Sequence, residues 1–287
     1  MRKEKMDKWI KSDFSLQVIV TNMDDVVPMH CHDFVELVIF SKGNATHSIG
    51  HRHKKTSYSV MQGDCFVIMP NEEHTFEEGN QAVYYNIIFS PELLSAELKD
   101  LKEFETWNPL FGFKNLNERT KVHLGLNERV LVKEYLLRLK EELDNRPPGY
   151  KICAKSILLE LILIILRCTP KKMVVTQNVK KTDSTILSIV DDMEKNPEKH
   201  YPLDDLSRKS NMCISGFTKK FRNLTGMSPN EYLLSLRMEK AEQLLLKSSL
   251  PVYEIAEQCG FYDINYFIKV FRRIRDTTPA KFRRMNR

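Results

Sequence analysis

Ser215-Gly216-Phe217-Thr218-Lys219-Lys220-Phe221-Arg222-Asn223-Leu224 returns fifty positions later as Asn265-Tyr266-Phe267-Ile268-Lys269-Val270-Phe271-Arg272-Arg273-Ile274. The flanks repeat as well. Leu206-Ser207 precedes the first copy and Ser228-Pro229 with Tyr232 follows it; Ile255-Ala256, Thr278-Pro279 and Phe282 hold the matching places around the second. An internal repeat constrains architecture more than any single motif, because each copy is one supersecondary unit. Each copy reads as a helix, a tight turn, a second helix and a Ser/Thr-Pro start of a third. That is the layout of a helix-turn-helix, which lays one helix in the major groove of DNA.

The helical faces sort by chemistry. Phe217, Phe221 and Leu224 fall at i, i+4 and i+7 and make an apolar stripe, while Ser215, Thr218, Lys219 and Arg222 make a polar one. In the second copy Phe267, Phe271 and Ile274 are expected inward, and Asn265, Ile268, Lys269 and Arg272 outward. A lone polar face is ordinarily just solvated. Two matched faces in tandem favour contact with double-stranded DNA. Ser228-Pro229-Asn230-Glu231 is a capping box with Pro at the first helical position. The helix it starts, Pro229 to Lys247, would be about 28 Å long, close to the roughly 34 Å between successive major grooves on one face of DNA.

Gly260-Phe261, Tyr266-Phe267, Phe271-Arg272 and Thr278-Pro279 after Ile255-Ala256, together with Phe221-Arg222, Gly226, Ser228-Pro229, Tyr232, Arg237, Ala241 and Leu244-Leu245, resemble the signature of the AraC/XylS transcription regulators over about residues 185–285. The resemblance implies base readers at Ser215, Thr218 and Lys219 in the first copy and at Ile264, Asn265, Ile268 and Lys269 in the second. Asn pairs bidentately with adenine, Ile packs on a thymine methyl and Lys reaches guanine. Arg222 and Arg272 are expected on phosphates, which orient the protein without reading sequence, and the two lysines have phosphate contact as their alternative role. Asp276 departs from the family pattern, standing where the first copy has Gly226; a positive φ is expected there, which Asp tolerates better than most residues.

At 287 residues the chain has room for about two domains. The net charge is +6, with 18 Lys/Arg against 14 Asp/Glu from residue 183 onward and near neutrality before it, a lean toward a polyanion partner. The longest apolar run, Ile157 to Leu166, contains Glu160 and falls short of the about 20 residues a membrane span needs. No apolar secretory segment follows the charged start, and six scattered cysteines lack a Cys-x-x-Cys pair. The expectation is a bacterial cytoplasmic protein with reduced thiols and no membrane association.

Residues 14–90 alternate short apolar runs with turn signals: Phe14–Thr21, Phe34–Phe40, Ala45–Ile49, Ser57–Val60, Asp64–Met69 and Val83–Phe89. Such spacing predicts a sandwich or barrel. His30-Cys31-His32-Asp33-Phe34-Val35-Glu36 with Gly43 resembles the first motif of the cupin barrels, and Gly63 with His74 matches the spacing of the second. Pro70 sits one place late, and Asn71 holds the usual Gly position. By strand alternation His30, His32 and Glu36 share a face, and His74 joins them from a neighbouring strand. Three imidazoles and a carboxylate can bind a hydroxyl-rich effector, hold a divalent Zn, Fe, Mn or Ni ion, or serve as an internally hydrogen-bonded cluster. No cofactor is required by this reading. His47, His51 and His53, beside Arg52, Lys54 and Lys55, are expected on a solvated hairpin, since those cations would repel a metal.

Two helices are expected next. Val122, Leu126, Val130, Leu131, Tyr135, Leu136 and Leu139 lie at helical spacing, Asp144 to Gly149 breaks the helix, and Tyr150 to Arg167 is apolar almost all round. One face of the second helix would pack within the chain, and the other would pair with a second subunit or be covered internally. The whole is an α+β multidomain protein: a cupin-like sensing barrel over 1–116, a helical dimerisation hairpin over 117–168, a linker over 169–182, and an all-α tandem helix-turn-helix domain over 183–287. The resemblance implies a transcription regulator, an activator by family habit, that meets RNA polymerase, responds to a small effector, often a sugar, and works as a homodimer. The order of elements is most similar to the rhamnose-responsive members. Competing readings are a metal-dependent cupin enzyme with a DNA-binding appendage and an effector-independent DNA-binding dimer.

Overall fold

The computed structural model describes residues 2–10, 14–23, 27–50, 55–112, 121–168, 181–225 and 227–285. The chain divides into two compact units, Met1–Val179 and Lys180–Arg287. Most of the stretch read as a linker, His51, His53 and Gly226 lie outside the described residues.

Among the described residues the first unit forms an eight-stranded sheet: β1 (Arg2–Glu4), β2 (Leu16–Met23), β3 (Val27–His32), β4 (Val35–Ile49), β5 (Thr56–Met61), β6 (Asp64–Ile68), β7 (His74–Phe89) and β8 (Val122–His123), with the short helix α1 (Met6–Trp9) after β1. β7 runs antiparallel to β2, β3 and β4; β4 also takes β5 and β6. The two apolar runs read as separate strands around Gly43 are one strand, β4. It continues past Gly43, whose φ is +67°, by absorbing register shifts between Phe40 and Thr46. Bulges of this kind bend a strand without ending it.

Alternation along β4 and β6 sorts side chains to two cores. Val38, Phe40, Phe66 and Ile68 face an aromatic cluster with Tyr58, Phe76 and Tyr84. Leu37, Ile39, Cys65 and Val67 face the other way. Onto that second face pack α2 (Leu98–Leu101), α3 (Trp107–Phe111), α4 (Leu126–Asn145) and α5 (Tyr150–Cys168). Ile157, Leu158, Leu161, Ile162, Ile165 and Leu166 of α5 are buried within the same chain, whereas Ile152 is 77% exposed. α4 ends where Arg146 takes a left-handed conformation before Pro147-Pro148-Gly149.

A buried polar knot ties sheet to helices. Asp64 accepts from Lys121, from His123 (2.8 Å) and from the Met61 amide (2.9 Å), and Arg129 of α4 donates to the Gln62 carbonyl at 3.1 Å. Burial alone would raise the Asp64 carboxyl, but Lys121 and His123 hold it below its ordinary range. Gly63, at φ +88°, sits where any Cβ would strike the Arg129 guanidinium.

His47 corrects the solvated-hairpin expectation. It is fully buried, stacked between Phe66 and Phe76 with ring centroids 4.7 Å away on each side, and its Nδ1 lies 2.7 Å from the Tyr58 hydroxyl. The length of β4 explains this: alternation carries His47 to the same inner face as Ala45 and Ile49.

The second unit is all helical: α6 (Lys181–Lys195), α7 (Leu203–Lys209), α8 (Ile214–Thr225), α9 (Pro229–Lys247), α10 (Val252–Gln258), α11 (Ile264–Arg275) and α12 (Pro279–Met285). The central α9 contacts α6, α8, α10 and α12. Its capping box is formed: Glu231 accepts from the Ser228 amide (2.8 Å), and Ser228 Oγ accepts from the Glu231 amide (3.4 Å). Arg237 of α9 donates to the carbonyls of Pro197 (2.8 Å) and Lys199 (3.0 Å) and lies over the Phe261 ring.

Candidate functional site

The paired polar faces come first. In α8, Phe217 and Phe221 are fully buried, and Phe221 meets Tyr232 of α9 edge-on at 5.7 Å. That anchoring turns Ser215, Lys219 and Arg222 to solvent, with Thr218 half-buried. In α11, Phe267 and Phe271 are fully buried, the latter edge-on to Phe282 at 5.5 Å. Ile264, Asn265, Lys269 and Arg272 are exposed. Ile268 is half-buried and packs partly on the core of its own unit, so it presents only one flank outward.

Both helix starts are fixed. Asp263 caps α11, accepting from the amides of Asn265 (2.7 Å) and Tyr266 (3.3 Å). The Cys213 carbonyl accepts from the Phe217 amide at 2.9 Å. Arg222 lies 3.3 Å from Glu231, the capping-box carboxylate, so that guanidinium is partly engaged before any phosphate arrives. Tyr262, 91% exposed beside Asp263, and the exposed Tyr266 extend the α11 surface. The repeat did not single these out, because it compares copies and the matching places in the first copy are Met212 and Gly216.

The second site is a cavity of about 230 Å³ in the first unit. Its polar end carries Glu36, His74, His30 and Asn86; its walls include Thr21, Val27, Phe76, Tyr84 and Ile88. His32, fully buried, stands behind Glu36 with its Nε2 at 3.7 Å from Glu36 Oε2, and His74 Nε2 lies 3.9 Å from the same oxygen. His32, Glu36 and His74 offer ligand atoms all within 4.8 Å of one another, a set able to hold a metal ion. His30 is beside them but turned: its ring lies 4.2 Å from that of His74, and its Nδ1 donates to the Pro28 carbonyl at 2.8 Å. Its partner at Pro28, upstream in a stretch of β3 whose pairing shifts register between Val27 and His30, is what turns it.

Burial pushes the Glu36 carboxyl up, but the imidazoles of His32, His74 and His30 bring it below its ordinary value. Burial lowers His74 to about 3, so it is neutral at physiological pH. The N-terminal segment closes one wall. β1 pairs in parallel with β3, the Met6 amide donates to Asp33 (2.8 Å), and Trp9 donates to Glu4 (2.8 Å), both of which line the cavity. Nothing in the local sequence marked Glu4 and Trp9, since their role depends on a pairing across 28 residues.

A model of the AraC-like ligand binding domain matches residues 18–162, about half of the chain, and a helix-turn-helix domain model matches residues 206–285. The chain belongs to the AraC family. It is therefore an effector-responsive, DNA-binding transcription regulator rather than an enzyme. Among AraC-family proteins it is 28% identical over 286 residues to the HTH-type transcriptional activator RhaR of Salmonella schwarzengrund, covering 96% of each chain. It is 29% identical over 287 residues to RhaR of Escherichia coli K12, covering 97% of each. Among solved structures, the DNA-binding domain of AdpA in complex with a target DNA matches at 28% identity, covering 35% of this chain and 91% of that one, with a TM-score of 0.34. Within the described residues no helix is long and apolar enough to cross a membrane.

Asp276 fits this family assignment. It takes φ +52°, the left-handed turn expected after α11. Asn71, in the cupin Gly position, likewise has φ +63°, and its amide donates to the His32 carbonyl at 2.6 Å.

Proposed function

We propose that this chain is a cytoplasmic activator that seats α8 and α11 in successive major grooves, reads bases with Ser215, Thr218, Lys219, Ile264, Asn265, Ile268 and Lys269, and grips phosphates with Arg222 and Arg272. The observation that carries it is the paired exposure: in both helices the phenylalanines are fully buried and the polar residues opposite them are turned out. The 19-residue α9 that joins them, about 28 Å long, supports a separation near that of successive grooves. The names of the full-length relatives support activation, and with it engagement of RNA polymerase.

The effector reading places a neutral, hydroxyl-rich molecule, a sugar, in the barrel cavity. Glu36, Asn86 and His74 offer hydrogen-bond partners, and among the described residues no Lys or Arg lines the cavity to attract an anion. Effector binding would shift the population between states of different DNA affinity. Residues 1–116 serve as sensor, 117–168 as the dimerisation element and 183–287 as the DNA-binding domain. Exposed Leu131, Leu137 and Ile152 on α4 and α5 support pairing of two copies, and two-fold dimers match paired half-sites.

Selection of full-length protein on random duplexes tests the reading. A defined site should emerge, and Asn265→Ala should cost about 1–3 kcal/mol at one base position and relax preference there. An equal loss on every sequence would remove Asn265 as a base reader; no selected site at all would remove the groove assignment.

A further inference from the structure

We propose that Ile214, the first residue of α8, is a further specificity-determining residue: it packs on the C5-methyl group of a thymine in the major groove, as Ile264 does from the first position of α11. The DNA site then carries a thymine at the equivalent place in each of its two half-sites. Ile214 stands outside the set of readers that the family resemblance implies. The proposal rests on the reading of α8 and α11 as groove helices and adds to it one residue and one base.

The fifty-residue offset of the repeat maps Ile214 onto Ile264. Each begins its helix. Each is exposed, Ile214 at 43% and Ile264 at 37%. A single exposed isoleucine is ordinary. The same branched apolar residue left in solvent at the same place in both copies calls for a common cause. Val252, which begins α10, shows the usual alternative: it is half-buried and packs on the core. Helix initiation does not ask for the isoleucines either. A hydrophobic staple uses the residue before the cap and the fourth helical residue, here Met212 with Phe217 and Tyr262 with Phe267. The first helical position lies outside that pair.

Side chains on a helix tilt toward its N-terminus, so those of the first turn reach past the helix end. In a helix-turn-helix the N-terminal residues of the second helix are the ones that meet base edges. Isoleucine has no donor and no acceptor, and the thymine methyl is the one apolar group that a base pair presents in the major groove. Against any other edge the isoleucine would leave a donor or acceptor stripped of water and unpaired, which is costly. Attraction and rejection therefore select the same base. Thr218 and Ile268, four residues further on and half-buried, stand one turn above the two isoleucines. Ile214 with Thr218, and Ile264 with Ile268, thus form one methyl-bearing, β-branched flank in each copy. The 19-residue α9 joins the two helices, so the two thymines should fall one helical turn apart, about 10 base pairs.

The test uses the full chain and the duplex it selects from random oligonucleotides. Each thymine of that duplex is replaced in turn by deoxyuridine, which removes the C5-methyl and keeps every hydrogen-bonding group. Loss of one buried methyl should weaken binding about fourfold, and two thymines about 10 base pairs apart should show it. Ile214→Ala should bind the unmodified duplex about fourfold more weakly. It should erase the deoxyuridine penalty at one of the two thymines and leave it at the other. Ile264→Ala should do the reverse, and Ile214→Val, which keeps the branch, should retain both penalties. Should Ile214→Ala fail to fold, Ile214→Gln, at least as well suited to a helix, replaces it with the same loss of the methyl penalty expected. A penalty that survives the loss of Ile214 at both thymines overturns the assignment; if Thr218→Ser erases it instead, Thr218 is the reader. An Ile214→Ala variant weakened on unmodified and deoxyuridine duplexes alike has lost structure rather than a base contact, and that too overturns the assignment. A selected site that tolerates deoxyuridine throughout, or shows only the penalty that Ile264→Ala erases, overturns the role of Ile214 and leaves the groove reading standing. No selected site overturns both.

Discussion

α8 and α11 are twelve-residue helices built on the same scaffold, yet they offer DNA different chemistry. Each buries two phenylalanines against the helix that follows a Ser/Thr-Pro cap. Outward, α8 shows Ser215, Thr218, Lys219 and an Arg222 already paired with Glu231. Outward, α11 shows Ile264 and Asn265, then Lys269, Arg272 and Arg273, and among the described residues Arg272 has no ion pair. The inner face is what the fold demands, so it repeats. The outer face is free to differ, and its difference implies that α11 is the stronger electrostatic anchor.

The largest test removes the shared inner face. Phe267→Ala and Phe217→Ala should each cost about 3–5 kcal/mol, as buried aromatic truncations do. Chemical denaturation of the second unit's helices would measure this. Native-state hydrogen exchange then sharpens the comparison. Because α9 contacts helices of both halves, loss of either phenylalanine should lower protection in both. Protection confined to the intact half would mean that the two halves fold independently.

A smaller test concerns the outer face. Each phosphate neutralised contributes about −0.9 to the slope of log affinity against log salt. Arg272→Ala should flatten that slope by about this amount. Arg222→Ala should flatten it less, because Glu231 partly holds the guanidinium in the free protein. Equal flattening in salt titrations of the two variants would erase the asymmetry between α8 and α11.

The same contrast explains what the sequence makes legible. The helical unit was legible because its determinants are local and repeated: i, i+4 phenylalanines and a Ser-x-x-Glu cap are visible within a dozen residues. The barrel was legible as strands but not in its joints. Nothing near Gly43 shows that β4 runs through it, and only that continuity buries His47. The cavity donors are legible from the His-x-His and Glu36 spacing, but the register shift in β3 and the Pro28 carbonyl that turn His30 are not. Tyr84 and Asn86 share a strand face with Ile88, which alternation in β7 could have indicated; Glu4 and Trp9 arrive through parallel pairing that no local pattern encodes.

The smallest test lies where the two copies part company, at Asp276 against Gly226 in the sequence. Asp276 holds φ +52° directly after α11. Left-handed backbone costs an L-residue roughly 1–2 kcal/mol, less for Asp than for most, and Gly nothing in sterics. A carboxylate at a helix C-terminus also faces the negative end of the helix dipole, an unfavourable contact of about 0.3–1 kcal/mol. Gly pays back some of this through its greater freedom in the unfolded chain. Asp276→Gly should therefore raise stability by about 0.5–1 kcal/mol and leave DNA preference unchanged, as read by denaturant unfolding and by binding to the selected site. A loss of stability would mean that the Asp276 side chain holds the turn by a contact of its own, and that the second copy solved the same turn by different means.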